Sequence, residues 1–242
     1  MNLSKTIKAY VITAEHEHYR KANVQILQEQ LPSFKCIDAI YPTRVKVPFI
    51  EKIRNTTYLR TGNKLNYGEI GILLSSRRVW QDIVKRNEAD DEFFLILESD
   101  SVINDIAILQ ENFYKLTNGY DLFFFGGWLG NIKLLKSKKQ VLNEIYCYGE
   151  PYIKTICSGY GYAINKKTAR YLLKATNKVG YPADEFKKYI DPLNLKIGAV
   201  IPEIISQSEG VTTIGHNDIG PVFEFFLRKL LNIRNTIICY FK

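Results

Sequence analysis

Five consecutive apolar residues, Phe93 to Leu97, run directly into Glu98-Ser99-Asp100. A run this short and this apolar reads as a strand covered on both faces, as in a parallel sheet. Similar runs recur at Lys8 to Thr13, Phe34 to Ile40, Leu122 to Phe125, Tyr160 to Ile164 and, as the last short strand, Ala199 to Ile201. Segments of helical spacing separate them: Val24, Leu27 and Leu31; Ile70, Leu73, Trp80 and Val84; Ile106, Leu109, Phe113 and Leu116; Ala169, Leu172 and Leu173. Asn66, three residues before Glu69, predicts a capping box, Asp90-Asp91 is expected to close that helix, and Asn165 predicts a cap for the helix after it. Alternating strand and helix argue an α/β fold, with a mostly parallel sheet flanked by helices in a single domain. Two stretches lack a period. Pro42 to Asn63 is basic, contains two prolines and is expected to be an irregular loop; Trp128 to Pro151 is lysine-rich and poorly patterned.

Charge and composition narrow the function classes. The 242 residues carry 33 Lys+Arg against 25 Asp+Glu, a net +8, and 13% are aromatic. Aromatic content of this order excludes an intrinsically disordered chain. The positive balance admits nucleic acid, a membrane surface or an anionic substrate. A basic nucleic-acid-binding module is an alternative reading, but no RNP-like motif, zinc pattern or arginine-clustered helix supports it. Cys36, Cys147, Cys157 and Cys239 stand far apart without a C-x-x-C pair, so reduced thiols in a cytosolic protein are expected. The first twenty residues do not read as a secretory segment, and no run of 18 apolar residues occurs. A cytoplasmic location is therefore the expectation.

Chemistry is expected at the carboxyl ends of the strands, where open α/β sheets bind ligands. Glu98 and Asp100, two apart in an extended segment, point to the same side. Their mutual repulsion is relieved by a hard divalent cation with oxygen ligands, Mg²⁺ or Mn²⁺. The plain alternative is a strand ending in solvated acids. Neither a G-x-x-x-x-G-K-[ST] loop nor a G-x-G-x-x-G turn is present, which disfavours a P-loop NTPase or a Rossmann dehydrogenase.

Several blocks, taken in order, resemble glycosyltransferase family 25, the lipooligosaccharide and collagen galactosyltransferase group. Tyr10-Val11-Ile12-Thr13 followed by Arg20 resembles its opening strand and arginine. Leu65-Asn66-Tyr67-Gly68-Glu69-Ile70-Gly71, with Ser75 and Trp80, resembles its L-x-x-G-E-I-G block. Leu95-Ile96-Leu97-Glu98-Ser99-Asp100 resembles its strand ending in E-D-D. Ser158 to Ile164, Pro182-Ala183-Asp184 and Pro202 to Gln207 resemble the later blocks. Two residues depart from the pattern: Ser99 replaces the central acid and Ser76 stands where a histidine is usual.

The resemblance implies a GT-A-like fold over residues 1–218, a nucleotide-sugar donor such as UDP-galactose, and metal-dependent inverting transfer of a hexose. The acceptor it implies is a hydroxyl of a bacterial surface glycan such as lipooligosaccharide. It implies that Asp100, with Glu98, holds Mn²⁺ or Mg²⁺. Asp184 is the candidate catalytic base and Glu185 its reserve; the alternative for Asp184 is a helix N-cap. Tyr10, Thr13, Arg20, Gly68, Glu69, Glu98, Asp121 and Gln207 are candidates for substrate binding. For several of these a structural reading stands beside the functional one: a solvated helix residue for Arg20, a capped helix start for Gly68 and Glu69, a strand-edge acid for Asp121. His216 is a candidate metal ligand or a surface histidine. Trp128-Leu129-Gly130 is a candidate sugar-stacking segment or a loop anchor. A non-catalytic or altered-specificity relative of the same fold remains an alternative.

Residues 219–242 read as a separate tail. Phe223, Phe226, Leu227, Leu230 and Ile237 line one side of a helix, with Arg228, Lys229 and Arg234 nearby. Such a helix lies on an anionic membrane surface, here the inner face of a bacterial inner membrane, or packs on the domain or on a second copy.

Overall fold

A computed structural model describes residues 6–127, 131–157, 159–208 and 221–242, the last segment with side chains from residue 230 onward. The strands are β1 (Lys8–Thr13), β2 (Phe34–Asp38), β3 (Phe94–Glu98), β4 (Ser101–Ile103), β5 (Leu122–Phe124), β6 (Leu134–Val141), β7 (Cys147–Pro151), β8 (Tyr162–Ile164), β9 (Ile197–Ile201) and β10 (Ile205–Gln207). The helices are α1 (Lys21–Gln30), α2 (Ile50–Thr61), α3 (Tyr67–Lys85), α4 (Ile106–Thr117), α5 (Lys166–Ala175) and α6 (Pro221–Phe241).

Eight strands form one sheet in the order β2-β1-β3-β8-β5-β9-β7-β6, and β4 pairs with β10 in a second, two-stranded sheet. The large sheet is mixed. β1 is parallel to both β2 and β3, and β5 is parallel to β9. β8 runs antiparallel to β3 and β5, and β7 runs antiparallel to β9 and β6. The parallel sheet expected from the sequence is thus confined to β2-β1-β3 and β5-β9.

Strand alternation divides the core into two layers. Tyr10, Ile12, Phe94 and Ile96 face α3 and α5 and pack with Leu73, Trp80, Ile83 and Leu172. Ala9, Val11, Leu95 and Leu97 face α1 and α4 and pack with Leu27, Leu109, Phe113 and Leu116. Full burial of each large apolar side chain contributes about 1.5–3 kcal/mol, so these strands anchor whatever their ends carry. The predicted capping box is present: Asn66 Oδ1 accepts from the Glu69 N–H at 2.8 Å, and the Asn66 N–H donates to Glu69 Oε2 at 2.7 Å. Asn165 likewise accepts from the Thr168 N–H.

Four expectations about elements need correction. Residues 50–61 form α2, not a loop. That helix buries only Thr57, so it lacks an apolar stripe; Thr57 and Arg60 instead donate to the Val179 carbonyl. The lysine-rich stretch forms the β6-β7 hairpin. β6 lies at the sheet edge with most of its residues exposed, which removes the alternation a half-buried strand would show. α3 ends at Lys85, before Asp90-Asp91, and β10 follows β9 as a further strand.

Candidate functional site

β1 and β3 run parallel with Ile12 opposite Glu98, so their carboxyl ends lie side by side. The chain turns sharply after Glu98 into β4. Ser101 Oγ accepts from the Glu98 N–H at 2.9 Å, and Asn23 Nδ2 donates to the carbonyls of Ser99 and Ser101, both at 2.9 Å. β10 pairs with β4 with Gln207 opposite Ser101, which delivers Gln207 to the same turn. Its Nε2 donates to Asp100 Oδ2 at 3.0 Å.

Arg20 enters from the short 3₁₀ turn before α1. One guanidinium nitrogen meets Asp100 Oδ2 at 2.9 Å; the other donates to Ser99 Oγ at 3.0 Å and meets Glu17 Oε1 at 3.2 Å. Ser99 Oγ donates to Glu17 Oε2 at 3.0 Å, and Tyr41 Oη donates to Glu17 Oε1 at 2.6 Å. Glu17 is 3% exposed and Asp100 6%. Burial alone would weaken the guanidinium's hold on its proton, but Asp100 and Glu17 offset that and keep Arg20 above its ordinary pKa. Burial and the neighbouring Glu17 push the Tyr41 phenol up.

Gly159 separates Glu98 from Asp184. A Cβ at Gly159 would meet Glu98 Oε1 at 2.3 Å and Asp184 Cβ at 3.8 Å, so glycine's missing side chain leaves room for the Glu98 carboxyl beside Asp184. Burial raises the Glu98 carboxyl well above the usual range, and the charges of Asp100 and Asp184 raise it further. Asp184 is raised as well, first by burial and then by Glu185. Asp184 does not act as a helix cap: only a 3₁₀ turn, Phe186–Lys188, follows, its N-cap residue is Glu185, and no side chain caps it. Glu185 pairs with Lys187 at 3.1 Å.

The structure therefore brings together Arg20, Glu98, Asp100, Asp184 and Gln207 among the residues expected from sequence. Thr13 lies next to them, lining a cleft of about 370 Å³ with Ala14, Glu15, Lys21, Val24 and Asp38. The α3 start also lies at this end of the sheet: a Cβ at Gly71 would meet the Ile40 carbonyl, just past β2, at 2.5 Å. Gly68 and Glu69 occupy its first turn, with Glu69 engaged in the capping box. Ser76 is hydrogen-bonded to buried Tyr162, whose Oη also accepts from Trp80 Nε1 at 3.1 Å.

Two candidates lie elsewhere. Tyr10 is a core residue, 1% exposed, donating from Oη to Asp82 at 2.6 Å. Asp121 precedes β5, which runs in the same direction as β3, so it sits at the opposite end of the sheet. There it accepts from the Lys196 N–H at 2.9 Å and pairs with Lys167 at 3.0 Å, tying strand starts together. His216, Ser158 and the segment Trp128-Leu129-Gly130 lie outside the described residues. Sequence reasoning missed Glu17, Asn23, Tyr41 and Gly159. Only Glu17 carried a signal, its i,i+3 spacing to Arg20.

The donor set fits a divalent cation in one respect. Among the described residues the buried Asp100 Oδ1 has no hydrogen-bond partner, leaving its lone pairs open to a hard cation. Among the described residues no group of three or more His, Cys, Asp or Glu side chains is arranged to hold a metal. A cation here would thus take one or two carboxylates and complete its shell with water and substrate phosphates, as Mg²⁺-type sites do.

A family model for glycosyltransferase family 25 (LPS biosynthesis protein) matches residues 6–187, three quarters of the chain. That span holds Glu17, Arg20, Glu98, Asp100, Gly159 and Asp184. No curated protein matches the chain.

Proposed function

The chain belongs to glycosyltransferase family 25, and from that premise we propose that it transfers a hexose from a nucleotide-diphosphate sugar to a hydroxyl of a bacterial surface glycan. We take the donor to be UDP-galactose, the fold to be GT-A-like and the transfer to invert the anomeric centre. The observation that carries this reading is the convergence of Arg20, Glu98, Asp100 and Asp184 at the carboxyl ends of β1 and β3, beside a cleft.

In this reading the donor's diphosphate meets Lys21, the cation among the cleft's described lining, and a bound divalent cation would offset the charges of Glu15 and Asp38, which line the same cleft. Asp100, helped by Glu98, would hold the cation; when bound, Mn²⁺ or Mg²⁺ supplies Lewis-acid stabilisation of the leaving diphosphate. Asp184 takes the proton of the acceptor hydroxyl. The acceptor oxygen then bonds to the anomeric carbon while the carbon–oxygen bond to the diphosphate breaks, its electron pair leaving with the nucleotide. A base whose pKa is lifted by burial holds that proton more tightly than an exposed aspartate would.

The tail bears on the acceptor. The end of α6 packs on β6: Cys239 is buried, Lys136 Nζ lies 3.7 Å from the Tyr240 ring centroid, and Ser137 donates to the Lys242 carbonyl. Leu230, Ile233 and Ile237 stay 54–65% exposed. Among the described residues no helix is long and apolar enough to cross a membrane. We read this exposed stripe, with Arg234 and the basic sequence at 228 and 229, whose side chains lie outside the described ones, as a surface that rests on anionic lipid and draws a lipid-linked acceptor to the site.

A screen of nucleotide sugars for Mn²⁺-dependent hydrolysis or transfer tests the reading. Turnover of one UDP-hexose supports it; absence of turnover with every donor leaves the non-catalytic relative.

A further inference from the structure

The turn Glu98-Ser99-Asp100 contains two carboxylates, yet three stand around it. Glu17, from the loop after β1, is 3% exposed and has both carboxylate oxygens committed. Oε2 accepts from Ser99 Oγ at 3.0 Å; Oε1 accepts from Tyr41 Oη at 2.6 Å and meets Arg20 at 3.2 Å. Through Arg20 the charge reaches Asp100, whose Oδ2 is held by Arg20 and by Gln207 at 2.9 and 3.0 Å while Oδ1 has no partner among the described residues. A carboxylate this buried is costly unless it is paired and hydrogen-bonded, and Arg20, Ser99 and Tyr41 supply both here. Serine at the centre of the turn is what admits it: an aspartate there, with Cγ in the place of Oγ, would extend one bond further and press a carboxylate oxygen on Glu17 Oε2, which lies 3.0 Å from Ser99 Oγ.

We infer that Glu17 is a positioning residue that supplies to this turn, from a distant part of the chain, the carboxylate that residue 99 lacks. It locks Arg20 between itself and Asp100, which fixes the Asp100 carboxylate with one oxygen clamped and the other free for a cation or a substrate group. The role in turnover rests on the transferase reading above, and the comparison of residue 99 with an acid rests on the family's E-D-D pattern; the clamp of Arg20 between Glu17 and Asp100 rests on neither.

The test moves the charge. Glu17→Gln keeps the shape and removes the carboxylate, Ser99→Asp adds one against Glu17, and the double variant transfers it from one position to the other. Each single variant is expected to lower Tm by roughly 5 °C or more, through an unbalanced Arg20 or through like-charge repulsion, and the double variant to recover most of that loss. With the best donor found, assayed where circular dichroism shows every variant folded, Glu17→Gln is expected to lose roughly tenfold or more in kcat/KM. The double variant is expected to return to within about threefold of the parent. A double variant whose kcat/KM is no better than that of Glu17→Gln overturns the inference, as does full activity in folded Glu17→Gln. If no donor is turned over, the transferase reading fails and the Tm cycle decides alone: additive losses overturn the inference and recovery in the double variant upholds it.

Discussion

Gly159 and Glu98 approach so closely that a Cβ on the glycine would lie 2.3 Å from Glu98 Oε1. The obstructed atom is the end of a side chain, so Gly159→Ala is expected to displace the Glu98 carboxylate without unfolding the protein. The variant should lose about tenfold or more in kcat while Tm moves by less than about 3 °C, on the order of 1 kcal/mol for a chain of this length. Steady-state kinetics beside a thermal melt check this; unchanged kcat contradicts it.

Glu98 and Asp184 both titrate above the ordinary carboxylate range, chiefly through burial. The native protein then keeps protons that the unfolded chain releases. Their contribution to stability is complete below the unfolded value of about 4 and is lost as pH rises through the raised native values. The metal-free protein should therefore lose more stability between pH 5 and pH 8 than Glu98→Gln does, and the variant should be the more stable of the two at pH 8. Denaturant titrations at both pH values check the sign. Parallel pH dependence in the two proteins contradicts it.

Asp184→Asn is expected to lower kcat by about 10²–10⁴-fold with little change in the donor KM, since the base acts on the acceptor. Activity should rise with pH through the raised Asp184 pKa, on an acid limb above that of an exposed aspartate. Glu185→Gln is expected to be mild because Glu185 pairs with Lys187. A pH–kcat profile on all three proteins separates the two acids; equal losses at both positions contradict the assignment.

The tail makes a separable prediction. Neutralising Arg228, Lys229 and Arg234 should weaken binding to anionic vesicles by about a hundredfold, at about 1 kcal/mol for each basic residue, and leave turnover of a soluble acceptor nearly intact. Vesicle co-sedimentation measures the first and a soluble-acceptor assay the second. Undiminished vesicle binding contradicts the membrane role.

Much of this site was legible because it hangs on local pattern. Phe93 to Leu97 marked its strand by apolar run alone, and Glu98 and Asp100 marked the end of it. Asn66 and Glu69 marked a helix start through two reciprocal hydrogen bonds that a three-residue spacing predicts. What escaped depends on contacts between distant segments. α2 is anchored through Thr57 and Arg60 to the Val179 carbonyl, more than a hundred residues away, so no stripe reveals it. β6 is an edge strand whose exposed residues, Lys136, Lys138 and Lys139 among them, follow one another without alternation. Glu17 gains its place only because Ser99 and Tyr41, from two other segments, close on it. Tyr10 and Asp121 show the converse. Each lies in or beside a strand, but a strand position does not say which end or face of the sheet the residue serves, and these two serve the core and the opposite end.

Asp100→Asn in a Mn²⁺-dependent turnover assay tests the central claim most directly. The substitution keeps the side chain's shape and its hydrogen-bond capacity toward Arg20 and removes the charge that would hold the cation. The account predicts that kcat/KM falls by about a hundredfold or more and that added Mn²⁺ no longer stimulates turnover. A folded variant with parental kcat/KM and the parental Mn²⁺ response would contradict it.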